Sequence, residues 1–197
     1  MNHLAHTFLS FDREDILPGN LFCDMMSAAE VKALPDHLQN GIRIHRWIDQ
    51  YTDSHPVILA LNRLLADDLG RYASVASDIY FDHFLSTKWT TFSDKEPLDA
   101  FCKRQYVFIK NALPYLPKRI HHAIGDMMAH DWLMSFGQRS SLEITFDHLS
   151  RRAKFDNNFG QANAILDKKY FEIEAAFMEF FPELTAYTKL RLEEIQV

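Results

Sequence analysis

The sequence predicts an all-α, single-domain bundle of many helices, and three observations carry this reading. Glycine is scarce, at six in 197 residues. Apolar residues recur at spacings of three and four along most of the chain, which marks one face of an α-helix. Extended β-branched runs, the signature of buried strands, are absent. With 47% apolar residues and sixteen Phe, the chain can bury a core without disulfide or metal support. The length suits one domain, and no repeat, low-complexity tract or linker divides residues 1–197.

Taken in order, the first helix spans about Asn2 to Ser10, with Leu4, Phe8 and Phe11 on one side and His3 and His6 nearby. Leu17-Pro18-Gly19-Asn20 reads as a break, after which Asn20 caps a short helix carrying Asp24. Pro35 and Asp36 open a third helix through Leu38, Ile42, Ile48 and Tyr51. It ends near Ser54, because the residue before Pro56 disfavours α geometry. Pro56 starts a fourth helix with Ile58, Leu61, Leu65 and Leu69 as its apolar face. The fifth runs from Ser74 to Trp89, counting Val75, Ile79, Phe81 and Leu85 as apolar positions. Ser93 to Pro97 is a turn, and a sixth helix covers Leu98 to Leu113, stopped by Pro114 and Pro117. Lys118 to Phe136 forms a seventh. Ser140 or Ser141 caps an eighth through Arg152, and Gly160 to Glu194 is helical with an interruption at Pro182.

Composition excludes several classes of function. A net charge of −6 argues against general nucleic-acid binding, which needs an excess of Lys and Arg to neutralise phosphates. Cys23 and Cys102 stand in apolar sequence without CxxC spacing and read as buried free thiols of a reducing compartment. The N-terminal stretch has neither a basic lead nor a signal-peptide apolar run, and no later segment suits a membrane span. The expectation is a soluble, cytoplasmic protein with no membrane partner. P-loop, dinucleotide-fingerprint, nucleophile-elbow and zincin motifs are all missing.

The polar pattern that remains is GIRIHRWIDQYTDSHP, residues 41–56. It sets His45, Asp49 and Asp53 at four-residue intervals, on one helical face. Two carboxylates at this spacing repel unless a cation lies near them. SDIYFDHFL repeats the spacing with Asp78 and Asp82, followed by His83, in an otherwise apolar helix where charges are rarely buried unpaired. Alone, the first stretch is explained by a solvated face. Together, the two favour a divalent-cation site of mixed imidazole and carboxylate ligands. His6 and Asp24 taken singly read as structural residues. Arg43, Arg46 and Lys32 flank the acidic face, and Arg151, Arg152 and Lys154 form a second basic cluster; solvated surface is the default for both, with anion docking as the alternative.

MNHLAHTFLS, GNLFCDMM, GIRIHRWIDQYTDSHP and SDIYFDHFLSTKW, in that order, resemble the acyl carrier protein phosphodiesterase family, also called holo-acyl-carrier-protein hydrolase. The similarity continues through LSRRAKFDN into the C-terminal helices and departs mainly between Ser93 and Arg139. The resemblance implies an all-α fold related to the HD-type metal-dependent phosphohydrolases. It also implies hydrolysis of the phosphodiester joining 4′-phosphopantetheine to a serine of holo-acyl carrier protein, with Mn²⁺ or Mg²⁺. The order here is Asp82-His83, so the HD ligand scheme does not transfer position by position. The expected metal ligands are Asp24, His45, Asp49 and Asp82. His6 and His83 are expected as additional ligands or proton-transfer groups, Arg46 to bind a phosphate oxygen, and Asp53 and Asp78 to support the ligands. Arg43, Arg46, Arg151, Arg152 and Lys154 are the expected docking residues for the carrier protein. A metal phosphohydrolase of a small phosphate ester or nucleotide, and a non-catalytic helical binding module, are the alternatives. Oligomeric state is left open.

Overall fold

The computed structural model describes residues 1–195, and every regular element among them is helical. In chain order these are α1 (His3–Phe8), α2 (Leu17–Phe22), α3 (Ala28–Ala33), α4 (Asp36–Ser54), α5 (Pro56–Leu69), α6 (Ala73–Thr87) and α7 (Trp89–Phe92). Then follow α8 (Leu98–Ala112), α9 (His121–Ala129), α10 (Trp132–Ser135), α11 (Arg139–Arg152), α12 (Ala162–Lys168) and α13 (Tyr170–Ile195). Short 3₁₀ turns join several of them, including Cys23–Met25 after α2. The all-α expectation stands. No helix among the described residues is long and apolar enough to cross a membrane.

The centre is built by α4, α5, α6 and α13, which pack on one another, while α2 lies along α4 and α1 against α6. Phe81 and Phe84 of α6 meet Phe177 and Phe180 of α13, and all four are buried. Each such ring contributes roughly 1.5–3 kcal/mol by leaving water. Tyr80, fully buried, donates its hydroxyl to the Ala162 carbonyl at 2.8 Å and so ties α6 to α12.

Leu17-Pro18-Gly19-Asn20 does not break the chain: it is the first two-thirds of α2. Pro18 sits in the first turn, where its missing N–H has no intrahelical partner to lose. Gly19 is needed for contact rather than flexibility. A Cβ there would lie 2.5 Å from the Leu38 carbonyl oxygen, and one at Gly41 would lie 2.1 Å from that of Ile16. The two helices therefore meet backbone to backbone at a pair of glycines.

Other boundaries moved for identifiable reasons. α3, not expected, is nucleated by a capping box in which the Ser27 hydroxyl accepts the Glu30 N–H and Glu30 accepts the Ser27 N–H. The seventh helix is split into α9 and α10 at His130-Asp131, where Asp131 has a left-handed φ of 47°. α11 begins at Arg139 after Gln138, which makes no side-chain cap, rather than being capped by Ser140 or Ser141. Pro182 does not interrupt α13. The flanking Phe180, Phe181 and Leu184 are fully buried, and that packing outweighs one lost backbone hydrogen bond. Val75, read as apolar face, is 37% exposed, and Cys23 is only half-buried.

Candidate metal centre

Three elements converge on one polar cluster. α1 supplies His6, α4 supplies His45 and Asp49 a turn apart, and the 3₁₀ turn after α2 supplies Cys23 and Asp24. His45 Nε2 lies 3.0 Å from Asp49 Oδ2 and 3.1 Å from Asp24 Oδ1. His6 Nε2 lies 3.4 Å from Asp49 Oδ1. The two imidazoles stack with centroids 4.5 Å apart at 20°. Ligand atoms of His6, His45 and Asp49 fall within 4.8 Å of one another, as do those of Cys23, Asp24 and His45.

Asn20, wholly buried, orients both rings. Its side-chain Oδ1 accepts from His6 Nδ1 at 2.8 Å, and its backbone carbonyl accepts from His45 Nδ1 at 2.8 Å. Its Nδ2 donates to the His6 carbonyl at 2.8 Å and to Ser10 Oγ at 3.0 Å, which fixes which end of the amide faces His6. Both Nδ1 atoms therefore carry protons, and both Nε2 atoms point into the cluster. Gly19 and Gly41 make this possible by bringing the α2 backbone close enough to α4 for the Asn20 carbonyl to reach His45.

Charge in the cluster is strongly partitioned. Burial holds the His6 imidazole below its ordinary range, so it is neutral at pH 7. Burial also disfavours charge on His45, but hydrogen bonds to Asp24, Asp49 and Cys23 and the Asp49 charge outweigh it and push the ring up to about 12. Asp49 is held well below the usual carboxylate range, because His45 and His6 overcome the burial that would raise it. Asp24 is lowered chiefly by its hydrogen bond to His45.

These residues fit a divalent cation. His6 Nε2 is buried without a hydrogen-bond partner, and its lone pair faces a carboxylate oxygen 3.4 Å away. Two acceptors opposed at that distance are satisfied by a cation between them. Two imidazole nitrogens with carboxylate oxygens are a donor set for Mn²⁺, Fe²⁺, Zn²⁺ or Mg²⁺, with the nitrogens favouring the first three.

The structure brings His6, His45, Asp49 and Asp24 together and separates other expected members from them. Asp82, expected as a ligand, caps α1: its oxygens accept the N–H groups of Leu4 at 2.8 Å and Ala5 at 2.9 Å. Asn2, at the N-cap position, supplies no side-chain bond, so Asp82 satisfies donors that α1 cannot. Burial raises its carboxyl to about 7, against the pull of those two N–H groups. His83 is turned toward the end of α10, its Nδ1 2.9 Å from the Phe136 carbonyl, and does not reach the cluster. Asp53 lies exposed on α4 a turn beyond Asp49, outside the cluster. Asp78 stands at the cluster's edge, where the Met1 amino group lies 3.4 Å from it and 3.6 Å from Asp49. Arg46 is exposed on α4. Arg43, also exposed, lies over the Trp47 ring at 5.3 Å. Arg151 pairs with Asp147 at 3.3 Å, while Arg152 and Lys154 line a groove at the end of α11. Sequence reasoning missed Asn20 and Cys23 as members, although Asn20, Cys23 and Asp24 share the three-and-four spacing of one helical face.

Fold and cluster together define an all-α protein with a histidine- and carboxylate-lined centre whose ligand atoms lie close enough together to hold a metal ion. The family model for acyl carrier protein phosphodiesterase matches residues 1–184, and the chain belongs to that family. A Salmonella agona protein named acyl carrier protein phosphodiesterase is 28% identical over 186 residues, covering 94% of this chain and 96% of its own. An Enterobacter protein of the same name is 28% identical over 190 residues, 96% and 98% of the two chains. One from Photorhabdus laumondii is 26% identical over 182 residues, 92% of each. No solved structure matches the chain.

Proposed function

We propose that this chain hydrolyses the phosphodiester joining 4′-phosphopantetheine to a serine of holo-acyl carrier protein, releasing apo-carrier protein and 4′-phosphopantetheine. The family match over residues 1–184 supports the reaction, and the unpartnered His6 Nε2 facing Asp49 is the observation that supports a metal-dependent form of it. His6 and His45 would hold Mn²⁺ or Mg²⁺ through Nε2, with Asp49 between them and Asp24 at the solvent side. The cation supplies charge neutralisation at the non-bridging phosphate oxygens and lowers the pKa of an attacking water.

The chain's own residues do the rest. Asn20 fixes both rings through Nδ1, which leaves His6 Nε2 free and directs His45 Nε2, once it gives up its proton, at the same point, so the rings need little reorientation on binding. Asp24, whose side chain is 83% exposed, is placed to ligate from the open side or to take a proton from the incoming water. Arg46, exposed one position beyond His45, adds a positive charge for a phosphate oxygen. The compartment we assign is the cytoplasm, where free Cys23 and Cys102 stay reduced.

Mass spectrometry of holo-acyl carrier protein after incubation with this protein and Mn²⁺ tests the reading. Loss of the mass of the phosphopantetheine arm, abolished by chelator and restored by Mn²⁺, is the expected result. An unchanged mass overturns the reaction, and cleavage that survives exhaustive chelation overturns the metal.

A further inference from the structure

A groove of about 490 Å³ opens between the start of α6 and the end of α11. Tyr72, Val75, Phe155 and Phe159 give it an apolar floor, and Arg71, Arg152 and Lys154 line it with positive charge. No Asp or Glu lines it, and among the described residues none of these three cations has an ion-pair partner, unlike neighbouring Arg151. In a chain of net charge −6, that concentration of unpaired cations around exposed apolar surface is a local reversal of sign. Phe155 is 58% exposed yet held in place, with the Arg71 guanidinium 4.0 Å from its ring centroid and its N–H 3.4 Å from the Tyr72 hydroxyl.

We propose that this groove seats an acidic amphipathic helix of the carrier protein. An apolar floor with a cationic rim complements a segment that carries an apolar stripe and carboxylates, and the charges steer encounter as well as register. The proposal rests on the reaction proposed above. There the phosphate is esterified directly to a protein serine, so the partner's surface must press against the rim of the metal centre. α6 joins the two places: Val75 lies in the groove, and Asp78, one turn later, stands at the cluster's edge beside Asp49 and the Met1 amino group. A body spanning that turn covers both.

Apo-acyl carrier protein, which lacks the scissile bond, is the probe. It is titrated calorimetrically into the Mn²⁺-supplemented wild-type protein and into an Arg152→Glu/Lys154→Glu variant, whose side chains are exposed. Helix content and melting temperature establish that the variant is folded. Binding is expected to weaken at least tenfold in that variant and to fall with added salt, and KM for holo-carrier protein is expected to rise in step. Phe155→Ala is expected to weaken binding by a smaller factor, and a Lys103→Glu/Lys110→Glu variant of α8, the same charge change elsewhere, to leave it as in wild type. Unchanged affinity on charge reversal overturns the groove. So does wild-type binding to phosphatidylglycerol vesicles, or self-association in the ultracentrifuge, that the reversal abolishes while carrier affinity stays as it was. Groove-dependent binding of apo-carrier protein without any cleavage of the holo form supports the docking site and overturns the reaction instead.

Discussion

His6 and His45 stack with centroids 4.5 Å apart and turn their Nε2 atoms toward the two oxygens of Asp49. Two protonated imidazoles in that position would repel, and the surroundings prevent it: burial keeps His6 neutral while Asp24 and Asp49 keep His45 charged. Asp49 is thus the shared counter-charge. Asp49→Asn is expected to lower Mn²⁺ affinity by about 10–100-fold and hydrolysis at least as much. Calorimetric titration with Mn²⁺ beside a turnover assay checks both, and wild-type values for both would refute the site.

A cation at this centre has to replace the proton on His45 Nε2, so metal binding and pH are linked. Without metal, the His45 ring is raised from 6.5 to about 12. A raised pKa stabilises the fold fully below the unfolded value and progressively less as pH climbs toward the folded one. The melting temperature of metal-free wild type is therefore expected to fall between about pH 7 and 10 more steeply than that of His45→Gln. At pH 7, Mn²⁺ binding is expected to release a proton, seen as a binding enthalpy that varies with the ionisation enthalpy of the buffer.

Asn20→Ala removes the acceptor of His6 Nδ1 but keeps the backbone carbonyl that serves His45. It also takes the Asn20 Nδ2 donor from the His6 carbonyl and the Ser10 hydroxyl, which keep only the bond between them. Stability is expected to drop by about 1–3 kcal/mol. Mn²⁺ affinity should fall by about 10-fold or more as the His6 ring loses its fixed tautomer. Urea denaturation and metal titration separate the two effects.

Gly41→Ala places a Cβ where the Ile16 carbonyl oxygen now lies. α2 has to retreat from α4, at a cost of about 1–3 kcal/mol or more. The Asn20 carbonyl retreats with it, so Mn²⁺ affinity is expected to fall as well. Gly125→Ala, where an added Cβ meets nothing within 4 Å, is the control and is expected to retain wild-type stability.

Asp82→Asn offers one acceptor where two N–H groups now converge and turns an NH₂ toward the other. A loss of about 1–3 kcal/mol is expected, measured by thermal unfolding. Because α1 carries His6, weakened metal binding should accompany it. Were Asp82 a ligand rather than a cap, Mn²⁺ affinity would collapse while stability without metal stayed as in wild type.

The periodic helices were readable. Asp36–Ser54 and Pro56–Leu69 lie where Pro35, Pro56 and the apolar spacing put them. His45 and Asp49 share a face, as any residues four apart on a helix must. The less legible parts are those in which long-range packing overrides local signals. Pro18-Gly19 looks like a turn to its neighbours, and only the approach of α4 makes a helix with a glycine contact the better solution. Pro182 looks like an interruption until Phe180, Phe181 and Leu184 are buried around it.

The sequence by itself determined the helical class, the metal-favouring stretch on α4 and the resemblance that the family match later supported. Tertiary structure alone decided which acids belong to the centre. Asp82 and Asp49 look alike along the chain, each one turn beyond a polar residue on its helix. They differ because α1 lays its unsatisfied N–H groups on one and the two Nε2 atoms converge on the other. A carboxylate's role follows from which donors reach its oxygens, and those donors come from segments distant in sequence.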